Sequence, residues 1–115
     1  MNVVVVFGAL SRAPEVRELP SGDRLASFEV TVRTPDQPTE SVPVVWFDPP
    51  DRALRLAAGA EVVVTGKVRR RFFRTPAGTG SRTEVVASQV LPATQRKRVQ
   101  AAVGAELDVL AGAIA

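Results

Sequence analysis

Apolar and polar residues along this chain change places mostly with a period of two, in stretches of seven to a dozen residues divided by clusters of Pro, Gly, Ser and Asp. Such a rhythm predicts strands. Asn2 to Leu10 is a β-branched run with Val3, Val4, Val5 and Val6 in a row. This predicts a first strand that is buried on both faces or paired across a subunit boundary. Ser11 to Gly22 holds Pro14, Pro20, Ser21 and Gly22 and reads as a returning loop, within which Glu15 to Leu19 can form a short extended piece. Arg24 to Thr34 alternates, with Ala26, Phe28, Val30 and Val32 on one side and Leu25, Ser27, Glu29, Thr31 and Arg33 on the other, as a half-buried strand requires. Pro35-Asp36-Gln37-Pro38 breaks it, and a third strand follows from Ser41 to Phe47, where Pro43 implies an edge, a bulge or a start position.

Asp48-Pro49-Pro50-Asp51 opens a short helix of about two or three turns, with Leu54, Ala57 and Ala58 as its apolar side and Gly59 as its stop. Glu61 to Arg74 is a long strand with a bend expected at Gly66, Thr75 to Gly80 is a hairpin tip, and Ser81, Arg82 and Thr83 lead into a last strand over Glu84 to Leu91, closed by Pro92. Beyond Gln95, the residues Val99, Val103, Leu107, Leu110 and Ile114 recur at three- and four-residue steps and predict a terminal helix. The order β-β-β-α-β-β is that of the OB-fold, an all-β, five-stranded Greek-key barrel with a short helix between its third and fourth strands. The expected organisation is therefore one such domain over residues 1–92 and an amphipathic helix over 93–115. A strand order alone does not specify a function.

Charge does more. The net charge of +3 is mild, but it is unevenly spread. Residues 1–66 carry six Lys and Arg against nine Asp and Glu, residues 67–98 carry nine against one, and residues 99–115 carry none against two. A basic cluster of this kind attracts polyanions. With 45 % apolar and 23 % charged residues, the 115-residue chain has the composition of a folded domain. Cysteine and histidine are both absent, which removes disulfides, zinc ribbons, thiol nucleophiles and a neutral-pH imidazole base. The carboxylates Asp48, Asp51, Glu61 and Glu84 show no paired-acid or metal-ligand spacing and read as helix caps and strand-surface charges. Neither a phosphate-cradling G-x-x-x-x-G-K nor a nucleophile-bearing G-x-S-x-G is present. No enzyme activity, cofactor or metal is expected. No basic leader precedes the first apolar run, and no run is long enough to span a bilayer, so a cytoplasmic location without membrane contact is expected.

In the basic segment, strand parity places Lys67, Arg69, Arg71 and Phe73 on one face, with cations and an aromatic at steps of about 6 to 7 Å, near the repeat of an extended single strand. Cations displace counterions from phosphates, and a ring offers a base a stacking surface. The alternative is a hairpin whose arginines only keep it soluble. Arg70 and Phe72 point the other way, and Phe72 reads as core or interface. Phe7, Phe28 and Trp46 share parity with aliphatic neighbours and read as core. Arg96-Lys97-Arg98 opposes the dipole at a helix start, so it can serve to extend the phosphate path.

The stretches Val3-Val-Val-Val-Phe-Gly8, Pro14-Glu-Val-Arg17, Pro20-Ser-Gly22, Ala26-Ser-Phe-Glu-Val30, Val44-Val-Trp-Phe47, Val62-Val-Val-Thr-Gly66, Arg69-Arg-Arg71 with Phe73, and Thr83-Glu-Val-Val86 follow one another in a specific succession. In order and spacing they resemble the bacterial single-stranded DNA-binding proteins. The likeness covers residues 2 to 91. It implies an OB-fold protomer that coats single strands in replication, repair and recombination, commonly as a homotetramer joined through its first strands and by sheet stacking, without a cofactor. Carried over, Arg69 and Arg71 match basic positions of the long hairpin, Phe73 and Phe47 match stacking aromatics, and Arg17 matches a basic position of the first loop. With the basic neighbours Arg33, Lys67 and Arg74 these make up the expected contacts.

This chain departs from the family pattern in three places. Its Pro35 to Glu40 loop is short, and Ser41 stands where the family usually has a stacking tryptophan. The terminal helix stands where the family has a Gly- and Pro-rich tail with an acidic tip, so enzyme recruitment through such a tip is not expected. The expected partners are single-stranded DNA, further copies of the chain in a dimer or tetramer, and a protein docked on the terminal helix. A different reading is an OB-fold accessory or primosome-type interaction module with weak nucleic-acid binding. Stacking and phosphate contacts serve DNA and RNA alike, and nothing in the sequence reads a 2′-hydroxyl.

Overall fold

The computed structural model describes residues 1–115. Six strands are formed: β1 (Val4–Leu10), β2 (Glu15–Glu18), β3 (Arg24–Val32), β4 (Glu40–Phe47), β5 (Glu61–Thr75) and β6 (Gly78–Pro92). Two helical segments, α1 (Asp51–Leu54) and α2 (Arg96–Ile114), stand between β4 and β5 and after β6. Hydrogen bonding runs β1-β5-β6-β4-β3-β2, and β3 returns to β1, so the sheet is closed.

Closure depends on two short seams. β4 and β6 run parallel and meet only at Val44–Val85 and Val45–Val86, while β1 and β3 meet at Ala9–Thr31 and Leu10–Val30. At the second seam Gly8 lies so close to β3 that an added Cβ would overlap the Thr31 carbonyl oxygen and the Val30 side chain, so only glycine fits. Pro43 precedes the two β4 residues that pair with β6, on a stretch where β4 has β3 as its sole neighbour. Its missing N–H therefore faces no ladder.

The alternating side of β3 turns inward as the period predicts: Ala26, Phe28 and Val30 join Leu10, Val44, Trp46, Val62, Val64, Val85 and Val90 in a single apolar core. Each such buried aliphatic or aromatic side chain contributes roughly 1.5–3 kcal/mol relative to exposure. Phe7 does not belong to this core, because its side of β1 faces outward, leaving Phe7 56 % and Val5 48 % exposed. The valine run is thus not buried on both faces within the protomer.

The bend expected at Gly66 is a β-bulge between Thr65 and Gly66. The hairpin is longer than the composition suggests. Ser81, Arg82 and Thr83 pair with Phe72, Arg71 and Arg70, and only Pro76 and Ala77 remain unpaired at the tip. The helix between β4 and β5 is one turn rather than two or three. Its N-cap, Pro50, offers no side-chain acceptor, and the chain goes on through three-residue turns, Arg55 N–H to the Arg52 carbonyl and Leu56 N–H to the Ala53 carbonyl. An uncapped helix this short lacks the bonds that offset its nucleation. Arg24 ties this turn to the sheet through the Pro49 carbonyl and Asp51.

Helix α2 has no fully buried residue. Val99, Ala102, Val103, Glu106 and Leu110 are half-buried, whereas Leu107 and Ile114 of the expected apolar stripe are 55 % and 76 % exposed. One polar tie docks the helix: the Ser88 hydroxyl donates to Glu106 Oε1 at 2.7 Å, and the buried Thr65 hydroxyl, 2.8 Å away, donates to Ser88 in turn.

Candidate nucleic-acid interface

Cross-strand register builds the site on one face of the β5–β6 hairpin. Arg69 stands opposite Glu84, Arg71 opposite Arg82, and Phe73 opposite Gly80. Directly opposed residues share a face, so alternation along β5 collects two guanidiniums and a ring, and alternation along β6 supplies a carboxylate, a third guanidinium and a gap. The gap has a use. The Phe73 ring occupies the space above Gly80, where an added Cβ would come within 2.7 Å of the ring.

Glu84 is the organising group. Its side chain is 1 % exposed, and Oε2 accepts from Arg69 Nε at 3.1 Å and Nη2 at 2.8 Å. Its other oxygen faces Arg71 at 3.6 Å and Arg82 at 3.9 Å. A carboxylate taken out of water needs partners of this kind, because an uncompensated buried charge is strongly destabilising. One anion among three guanidiniums leaves this face positive.

The aromatics are held beneath the cations. Arg69 lies 5.4 Å from the centroid of Phe47, which comes from the end of β4, and Arg71 lies 5.5 Å from that of Phe73. Both rings keep access to solvent, at 42 % and 39 % exposure, as a base-stacking surface requires. Together with β2 and β3 this face bounds an open groove of about 360 Å³, whose walls include Arg17, Val16, Leu25, Phe28, Phe47, Arg69, Arg71, Arg82 and Glu84. Arg17 reaches it because β2 places Arg17 opposite Leu25, which in turn stands opposite Phe47. Arg12, also on the groove wall, is engaged by Glu15 and Glu29, while Arg17 makes no ion pair.

Five of the eight expected contacts are thus brought together: Arg17, Phe47, Arg69 and Arg71 line the groove, and Phe73 lies beneath Arg71. Three are not. Arg33 follows the far end of β3, roughly 25 Å along the strand from Leu25 at about 3.3 Å per residue. Lys67 shares the parity of Arg69, but β5 twists as it leaves the bulge, and Lys67 borders a separate depression with Asn2, Ser88 and Glu106. Arg74 stands opposite Thr79, on the reverse face of the hairpin. Glu84 and Arg82 were missed. Glu84 read as a surface charge, whereas it is buried, and only the register of β6 against β5 reveals what it holds. Phe72, read as core or interface, is 66 % exposed with Arg70 over its ring at 5.4 Å, so it is not core.

No group of three or more His, Cys, Asp or Glu side chains is placed to hold a metal ion, and no helix is long and apolar enough to cross a membrane. The Single-strand binding protein family matches the chain over residues 1–93. A curated relative, the single-stranded DNA-binding protein of Oceanobacillus iheyensis, is 32 % identical over 99 residues, an alignment that covers 78 % of this chain and 62 % of the relative. The chain therefore spans less than two thirds of that relative's length.

Proposed function

Because this chain belongs to the Single-strand binding protein family, we propose that it binds single-stranded DNA without strong sequence preference and performs no catalysis. The observation that carries this reading is the groove itself, in which Arg69 and Arg71 lie over the exposed rings of Phe47 and Phe73. Guanidiniums track phosphates, and rings accept any base. Arg17 extends the cationic wall on the opposite side of the groove. We read the closed sheet as an OB-fold Greek-key barrel with α1 between its third and fourth long strands, residues 1–92 as the binding module and 93–115 as an appended helix. Service in replication, repair or recombination, in the cytoplasm, follows from the same reading.

Assembly of copies is supported by β1. Its Val5 and Phe7 side is exposed, and Val4 to Gly8 pair with β5 on one edge only. An unpaired, apolar strand edge favours pairing with another chain, which fits a dimer or tetramer. The exposed Leu107, Val109 and Ile114 of α2 offer a protein partner an apolar contact.

The test is fluorescence anisotropy of labelled oligo-dT, an equal-length duplex and an RNA, titrated with protein at several salt concentrations. The expected result is salt-sensitive preference for the single DNA strand. Replacing Arg69 and Arg71 together by Ala is expected to reduce the slope of log K against log salt by about 1.4, at roughly 0.7 per phosphate contact on a single strand. Equal weak binding to all three probes would refute the proposal, and an unchanged slope would remove these two arginines from it.

A further inference from the structure

The hairpin has a second basic and aromatic face, which the groove does not use. Register places Arg70 opposite Thr83, Phe72 opposite Ser81 and Arg74 opposite Thr79, so these six side chains lie on the side away from Arg69, Arg71 and Phe73. Phe72 is the most exposed aromatic of the chain, at 66 %. Arg70 is fixed over one side of its ring at 5.4 Å and is steadied by the Ser81 hydroxyl, which accepts from Nη2 at 3.2 Å. The two faces differ in charge balance. On the groove face Glu84 holds the arginines, whereas on this one there is no carboxylate, and neither Arg70 nor Arg74 makes an ion pair. Two guanidiniums without a carboxylate partner, three hydroxyls and an exposed ring suit a phosphodiester chain carrying bases. An apolar protein surface would leave those guanidiniums desolvated and unpaired.

We propose that this outer face is a second track for single-stranded nucleic acid, with Phe72 stacking a base and Arg70 and Arg74 meeting phosphates, so that a long strand passes along both sides of the hairpin. The inference rests on the single-strand reading above and extends it to residues outside the groove. Arg70 to Arg74 spans roughly 13 Å of extended chain, which is about two nucleotides at 6 to 7 Å each.

The experiment titrates poly(dT) at low salt to measure the nucleotides occluded per protomer, and measures the affinity for a dT oligomer of about 30 nucleotides. It compares the full chain with Phe72→Ala, Phe72→Trp, Phe72→Leu and the double replacement of Arg70 and Arg74 by Ala. Phe72→Ala is expected to weaken binding of the oligomer about tenfold. Combined with the arginine replacements it is expected to shorten the occluded length by about two nucleotides. The double arginine variant should lower the salt slope by about 1.4, and Phe72→Trp, but not Phe72→Leu, should restore affinity. All these positions are exposed, so melting temperature and sedimentation coefficient should not change. An unchanged occluded length and affinity would overturn the second track and leave the groove reading standing. Rescue by Leu together with an altered sedimentation coefficient would assign the face to subunit packing and overturn it as well. Failure of the unmodified chain to bind poly(dT) would remove the groove reading and this inference with it.

Discussion

Replacing Glu84 by Gln separates what the buried carboxylate does for the fold from what it does to the groove. The amide keeps the volume and one acceptor for Arg69 but removes the charge that faces Arg71 and Arg82 at 3.6 and 3.9 Å. Hydrogen bonds to charged groups contribute roughly 1.5–3 kcal/mol each. Arg69 is 36 % exposed, so water replaces part of what is lost, and a net destabilisation of about 2 kcal/mol is expected. With an unfolding entropy of roughly 2.1 cal/mol/K per residue, the 115-residue chain loses about 4 °C per kcal/mol, so its melting temperature should fall by about 8 °C at fixed protein concentration.

Binding moves the other way. A phosphate held by Arg69 would sit roughly 6 Å from the carboxylate, where repulsion is about 3 kcal/mol at an effective dielectric of roughly 20 and about 0.7 kcal/mol in bulk water. Against this stands the loss of order in Arg69, roughly 0.5–1.5 kcal/mol, most of which the Gln oxygen prevents. Affinity for oligo-dT should therefore rise about three- to tenfold at low salt, with a smaller gain as screening increases. Thermal denaturation and anisotropy on the same preparation measure both effects. A variant that melts lower and also binds more weakly would show that Glu84 serves the groove by orienting its arginines, and would refute the repulsion argument. A variant with unchanged melting would show that the buried carboxylate holds nothing together.

Gly80→Val is expected to push the Phe73 ring off its seat, since an added Cβ would meet ring atoms at 2.7 and 3.0 Å. Oligo-dT affinity should fall about fivefold, from the loss of one stacked base, with melting nearly unchanged. A large drop in melting instead would mean that the ring is structural. Ser88→Ala should release α2 by removing the bond to Glu106 and leaving the buried Thr65 hydroxyl without its partner, at about 1–3 kcal/mol. Hydrogen exchange should then speed up in residues 96–114 while the strands stay protected; protection retained in α2 would show that its apolar contacts alone dock it.

Much of the site was legible because it is local. Arg69, Arg71 and Phe73 share a face by alternation within one strand, and the charge imbalance of residues 67–98 needs no partner to be seen. The same logic carries Lys67 too far, and Arg74 is included for its charge alone, against its parity. Parity is counted in residues, but a 15-residue strand with a bulge and a twist turns its ends to different surroundings. Arg74 differs from Arg71 by an odd number of positions, so its place on the reverse face was in fact readable. Glu84 was the reverse case: its burial depends on a neighbouring strand and on the floor beneath it, neither of which leaves a mark in a single alternating stretch.

What the sequence determined by itself is where strands run, which of their residues share a side, and where the positive charge collects. These follow from chain stereochemistry and the period of two, which act over a few residues. The tertiary structure decided which side is covered. Closure brings Phe47 of β4 under Arg69 of β5 and Arg17 of β2 onto the same groove, and it leaves Phe7 and Phe72 facing outward despite their apolar character. Burial of a side depends on what packs across from it, and the strands that meet here are tens of residues apart in the chain.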